Sequence, residues 1–251
     1  MSDYNQAYHN EIEANARRSA ETVIGFLIRL FQPQSVIDVG CGRGTWLAEW
    51  QRQGINEFLG VDGGGQDRTR LLIPPDRFLE YNLNLPFIGP KRYDLASCLE
   101  VVEHLKPASA NVIVQTLTGL SDVIVFSAAV PRQGGFQHIN EQWPAYWAEK
   151  FEAAGYVFTD GIRWQLMPHE EVAWWYRQNL FLVIKKELYD TKYSFLPCFS
   201  PEYYVMHKLV YKTYASWSYR LYFSIEQFIY NHFHSLYHAI YPTIKKILAK
   251  S

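Results

Sequence analysis

With 251 residues, 48% of them hydrophobic and 20% charged, the chain suits one catalytic domain with an appendage and can bury a real core. A net charge of −1 excludes the global basic footprint of a nucleic-acid-binding protein, although residues 1–190 carry 17 Lys/Arg against 23 Asp/Glu and residues 191–251 carry 7 against 2. Cys41, Cys98 and Cys198 have neither zinc-ligand nor redox spacing, no apolar run reaches the ~18 residues of a membrane span, and the acidic start lacks signal-peptide character, so a cytoplasmic protein with reduced thiols is expected.

In chain order, residues 8–31 read as an amphipathic helix, with Ile12, Ala16, Ala20, Val23, Ile24, Leu27, Ile28 and Phe31 at three- and four-residue spacing, ended by Pro33. Residues 35–39 form a short buried strand that runs into glycines. Residues 45–53 are helical, and 57–61 are a strand that ends at Asp62. A weaker strand is expected at 77–80 and a clear one at 93–99. A helix with proline in its first turn follows at 107–120, then an apolar strand at 123–127. After a glycine-containing loop, 143–154 is helical, and strands at 155–158 and 179–184 finish the series. Strands alternating with helices imply a mainly parallel sheet covered on both faces. Beyond Asp190, Pro197 and Pro201 precede long helical patterns rich in aromatic and basic residues. One apolar stripe there runs through Leu221, Ile225, Ile229, Phe233, Leu236 and Ile240. The expected divisions are therefore 1–34, 35–190 and 191–251.

Glycines at 40, 42 and 44 lie between the first strand and the next helix, where a tight turn lets a ligand touch backbone. In an open α/β sheet this carboxyl-end crevice is where ligands bind. The third glycine comes too soon for the G-x-G-x-x-G dinucleotide loop. Asp38 just before it would repel a pyrophosphate but can accept hydrogen bonds from an ammonium group.

Val36-Ile37-Asp38-Val39-Gly40-Cys41-Gly42-Arg43-Gly44 resembles the first motif of class I S-adenosylmethionine (SAM)-dependent methyltransferases, and Gly60-Val61-Asp62 resembles the second. Leu99-Glu100-Val101-Val102-Glu103-His104-Leu105 is similar to the turn after that family's fourth strand. The resemblance covers about residues 35–185. It implies a Rossmann-like, mostly parallel seven-stranded sheet with an antiparallel last strand, here followed by a helical C-terminal extension. It also implies SAM as cofactor, held by Asp38, Gly40, Cys41, Gly42, Gly44, Asp62, Asn82, Leu99 and Glu100. Asp62 would take the ribose hydroxyls. Asn82, standing where the family usually has Asp, would offer its carbonyl to the adenine amine.

Methyl transfer from a sulfonium is an in-line displacement, so the protein mainly positions the acceptor and excludes water. A hydroxyl acceptor also needs a base. Two segments offer one: Glu103-His104 after the fourth strand, and the 133–143 loop, in which His138 is the base and Glu141 its orienting partner. In that loop Asn140 is a candidate helix cap. His232, His234 and His238 do not complete a metal site, and no metal is expected.

The 35–185 stretch is also similar to bacterial methyltransferases that accompany surface-polysaccharide glycosyltransferases. That similarity implies O-methylation of a small polar acceptor, a sugar or glycan precursor. Methylation of another small molecule, of RNA or of protein stays open, as does a non-catalytic SAM-binding or assembly module. Nucleic acid is not an expected partner. Residues 200–251 would serve peripheral contact with the inner membrane face or homo-oligomer assembly.

Overall fold

The computed structural model describes residues 3–63, 67–201, 204 and 206, with side chains from residue 12 onward. Helix α1 (Asp3–Phe31) ends where Gln32 turns left-handed, φ 49°, and Pro33 blocks continuation. Its apolar stripe of Ala20, Val23, Ile24 and Leu27 is fully buried and joins the core of Leu47 and Trp50 on α2 (Thr45–Arg52). The N-terminal helix is thus part of the body of the domain.

Seven strands form one sheet: β1 (Ser35–Val39), β2 (Glu57–Asp62), β3 (Phe78–Glu80), β4 (Leu95–Leu99), β5 (Val123–Ser127), β6 (Tyr156–Thr159) and β7 (Phe181–Lys185). Their order is β3-β2-β1-β4-β5-β7-β6. The first five are mutually parallel, and β7 runs antiparallel to both β5 and β6. This is the Rossmann-like sheet that the sequence leads one to expect. Two-residue alternation divides its faces. Val123 and Val125 join the core beneath α1 and α2, while Phe126 stacks against Trp147 and Phe151 of α4 (Pro144–Ala153). Helix α3 is Ala110–Leu120, preceded by a 3-10 turn at Pro107–Ser109.

Two consequences position the site. The strand order reverses between β1 and β4, which opens a crevice at the carboxyl ends of the parallel strands. Because β7 is reversed, its beginning lies at that same edge, and so does α6 (Trp174–Asn179), which leads into it. The short α5 (Arg163–Leu166) and α6 lie between the last two strands, where the sequence reading marks no helix.

The chain divides into two compact units, Met1–Phe199 and Ser200–Ser251. Residues 191–199, assigned by sequence to the extension, return to the sheet edge: Pro197 accepts from the Asp160 N–H and Phe199 donates to the Phe158 carbonyl. This covers part of β6, an edge strand that would otherwise expose unpaired backbone groups. The apolar stripe and most of the basic residues expected beyond residue 206 lie outside the described residues.

Candidate active site

The glycine loop is built by contacts that leave no room for side chains. Gly40 has φ 86°, and a Cβ there would stand 2.3 Å from a methyl carbon of Val101 in the turn after β4. Gly44 has φ 88°, and its Cβ would meet Ile73 at 2.8 Å. Gly42, φ 55°, faces open space instead. The first and third glycines therefore close the loop against the body, and the second leaves backbone accessible to a ligand. Arg43 is ion-paired with Glu13, which ties the loop to α1.

Both acidic partners of the loop come to it. The Asp62 carboxylate, at the end of β2, accepts the Gly42 N–H at 2.7 Å. Asp38 pairs in register with Ser97 on β4, and the Ser97 hydroxyl donates to its carboxylate at 2.6 Å. Burial pushes the Asp38 carboxyl up to about 7; the Ser97 hydrogen bond opposes the rise and the Asp62 charge adds to it. A buried carboxylate whose charged influence is another anion suits a cationic ligand. The Cys41 thiol is held well above its usual range by burial and by these two carboxylates, so it is an inert loop residue.

Other expected residues serve different ends. Leu99 is buried at the end of β4. The Asn82 side-chain carbonyl accepts from both the backbone and the side chain of Asn84, a turn of its own rather than an open acceptor. Glu100 is left-handed, φ 54°, and its N–H reaches Ser127. Its carboxylate receives the Gln133 amide at 2.9 Å and the Asn179 amide at 3.2 Å. Desolvation raises its pKa, partly offset by those hydrogen bonds and that of Ser127. Glu100 is thus the centre of a polar knot joining the ends of β4, β5 and β7.

The 133–143 loop folds back on the turn after β4. The Ile139 and Asn140 N–H groups both donate to the Glu103 carbonyl, and the Asn140 amide donates to Val102. Asn140 therefore does not cap α4, which begins after Trp143 with Pro144 in its first turn. This docking sets His138 against His104, with ring centroids 4.8 Å apart at 86°. The His138 Nδ1 lies 2.9 Å from Glu141, which also accepts the Arg132 and Gly134 N–H groups. Burial works against ionisation of Glu141, but those hydrogen bonds together outweigh it and lower its pKa. His104 is shifted down by desolvation and by His138. Gly135 admits the His138 ring, since a Cβ there would stand 2.2 Å from Nε2. Of the four described non-glycine residues with positive φ, Glu100, Arg132 and Gln137 belong to these two segments, a concentration of strain typical of functional sites.

Sequence reading misses Tyr176 here, and it names Glu103 within a candidate base segment without its burial. Tyr176 on α6 is buried, takes a long hydrogen bond from the Trp46 indole at 3.4 Å, and feels the charges of Glu100 and Asp38. Glu103 is fully buried, and neither carboxylate oxygen has a hydrogen bond. The N–H groups of Glu103 itself and Ala129 lie near that carboxylate but outside hydrogen-bonding geometry. Burial, then Glu100, raise its pKa well above the usual range. Asp94 accepts from Gln34 and Ser35 at the far end of β1, and the Arg177 guanidinium donates to the Met167 carbonyl.

A family model described as a methyltransferase domain matches residues 12–185, well over half of the chain. The chain belongs to that methyltransferase family. Its cofactor is SAM, and solved structures that share the fold hold SAM or S-adenosylhomocysteine. One is SAM-bound CalS10, an amino pentose methyltransferase from Micromonospora echinaspora (TM-score 0.53, 15% identity, 74% of this chain and 97% of that one). Another is DesVI of Streptomyces venezuelae (TM-score 0.55, 14% identity, 73% and 99%). A curated relative, the ubiquinone biosynthesis O-methyltransferase of Serratia proteamaculans (strain 568), is 31% identical over 90 residues. That alignment takes in 32% of this methyltransferase and only 35% of the relative's length.

Proposed function

We propose that this methyltransferase transfers the methyl group of SAM to an oxygen of a small polar acceptor, a sugar or glycan precursor. The observation that carries the reading is the His138–Glu141 pair, set beside His104 on a loop docked at the carboxyl edge of the sheet. When bound, SAM supplies a methyl group already activated by its sulfonium. The chain's part is to hold the cofactor, exclude water and take the acceptor's proton.

In this reading Asp38 receives the ammonium of the aminoacid part, Asp62 the ribose hydroxyls, and the Gly42 backbone lies along the cofactor. Gly40, Cys41, Gly44, Leu99 and Glu100 shape that cradle. Asn82 borders the adenine side, with its carbonyl already engaged by Asn84. Glu141 accepts from Nδ1 of neutral His138 and so fixes the tautomer that leaves Nε2 as the proton acceptor. His104 flanks the same point.

Support for an oxygen acceptor comes from the name of the Serratia relative, and for a sugar from the name of CalS10. Peripheral contact with the inner membrane face through residues 200–251 is supported by their basic and aromatic sequence pattern; among the described residues no helix is long and apolar enough to cross a membrane.

The test is to incubate the protein with SAM and a panel of monosaccharides, sugar nucleotides and glycolipid precursors, and to measure S-adenosylhomocysteine. Methylation of a hydroxyl, with His138→Ala lowering turnover on the order of 10²-fold or more while sparing SAM affinity, is the expected result. Turnover only on amines, or unchanged turnover in His138→Ala, overturns the acceptor or the base respectively.

A further inference from the structure

The base reading leaves Glu103 without a purpose. Among the described residues neither oxygen of the fully buried Glu103 carboxyl has a hydrogen bond, which is costly because a buried polar group loses its hydration without compensation. Buried charges persist where they are paired or bind metal. Among the described residues Glu103 has no paired cation. What it faces instead are two imidazoles: one ligand atom from each of Glu103, His104 and His138 lies within 4.8 Å of the others.

The two segments are brought to this point by backbone. His104 and Glu103 share the 3-10 turn Val102–His104 after β4. The His138 loop is fastened to that turn by the two N–H groups that converge on the Glu103 carbonyl, and by the Asn140 amide on Val102. Glu141 engages the Nδ1 of His138. A carboxylate behind one ring nitrogen commonly orients a histidine whose other nitrogen binds a metal. Glu141 is itself held by two backbone N–H groups, so the support is rigid.

We propose that Glu103, His104 and His138 form a binding site for one divalent transition-metal ion, with Glu141 as the positioning residue for His138. Two imidazoles and one carboxylate suit Mn²⁺, Fe²⁺, Co²⁺ or Zn²⁺ better than Ca²⁺ or Mg²⁺, which prefer all-oxygen sets. Three protein ligands leave coordination positions for water or an acceptor oxygen. The site differs from the metal-free expectation of the sequence because its ligands come from two segments that only folding joins. Its use in activating an acceptor rests on the methyl-transfer reading above; the binding of metal does not. A metal that polarises an acceptor hydroxyl would lower its pKa so that its proton could pass to solvent water, and His138 would then act as ligand in place of base.

The test uses the full chain, stripped with chelator and titrated with Co²⁺ under anaerobic conditions, with visible absorption and calorimetry as readouts. One equivalent should bind, with the d–d bands of nitrogen and oxygen coordination. Glu103→Gln and His104→Gln should each weaken binding at least 10-fold, and Glu141→Gln should weaken it to a smaller degree. Glu103→Gln replaces a buried carboxyl by a neutral side chain of nearly the same shape, so the variant should fold at least as well as the parent, which thermal unfolding checks. Failure of the parent to bind Co²⁺, Mn²⁺ or Zn²⁺ at millimolar concentration overturns the site. So does binding that neither ligand substitution weakens. Metal binding at these residues without methylation of any hydroxyl acceptor upholds the site and overturns only the acceptor reading.

Discussion

At the scale of single residues, the two aspartates of the cofactor cradle have separable duties. Asp62 holds the Gly42 N–H now and is assigned the ribose hydroxyls. Hydrogen bonds to a charged group are worth about 1.5–3 kcal/mol, so Asp62→Ala should weaken SAM binding roughly 10–100-fold by calorimetry. An unchanged Kd would remove Asp62 from the site. Asp38 adds a pH signature. Its carboxyl is raised from 3.8 to about 7 in the folded protein, chiefly by burial. The folded state therefore keeps a proton that the unfolded chain releases, and this group's contribution to stability falls as pH rises from about 4 to about 7. Asp38→Asn should remove that decline, so its Tm relative to the parent should climb between pH 5 and pH 8 without SAM. Over pH 5 to 7 the parent should gain SAM affinity relative to the variant, because only the ionised carboxylate pairs with the ammonium. A parent-to-variant affinity ratio that stays flat with pH would place the ammonium elsewhere.

Elements show why equal glycines are not equivalent. Gly40→Ala drives a Cβ into Val101 at a left-handed position, fusing two turns that must nest. Strain and overpacking together should cost about 2–4 kcal/mol in urea unfolding. Gly42→Ala meets open space, so it should cost about 1 kcal/mol from backbone strain alone, yet depress SAM affinity if the cofactor lies along this backbone as proposed. Equal effects of the two on both readouts would contradict the division of labour within the loop. The motif spacing in the sequence marks both glycines but cannot rank them, since rank depends on Val101 and Ile73 crossing over from other turns. The same limit hides α6. Trp174-Trp175-Tyr176-Arg177-Gln178-Asn179 has too few residues for a helical period, and Tyr176 meets Trp46 only because antiparallel β7 returns the chain to the loop edge.

For the whole molecule, every assigned site residue lies within the unit Met1–Phe199. That unit includes α1, whose buried stripe completes the core over α2, and residues 197–199, which finish the β6 edge. A chain ended after residue 199 should therefore fold and bind SAM with the parent's affinity, whereas one ended at 190 should lose stability through the exposed edge. If the extension serves membrane contact, flotation with anionic liposomes should fall on removal of residues 200–251. Equal flotation of both forms would assign the extension another purpose.

The sequence by itself determines the alternation of strands and helices, the SAM-type glycine loop and the acidic residues around it. These are legible because each depends on neighbours a few positions away: apolar period, turn chemistry and a strand ending at a carboxylate. Only the tertiary structure decides what Glu103 faces, which nitrogen of His138 is engaged, and that Asn140 ties a loop instead of capping a helix. The first and last of these turn on burial and on contacts between segments 30 or more residues apart, and the second on how the docked loop sets the His138 ring toward Glu141; none leaves a periodic trace in the chain. Glu103 reads in the sequence as one more acidic residue beside a histidine. Folded, it is a buried carboxylate without a hydrogen bond, set against two imidazoles.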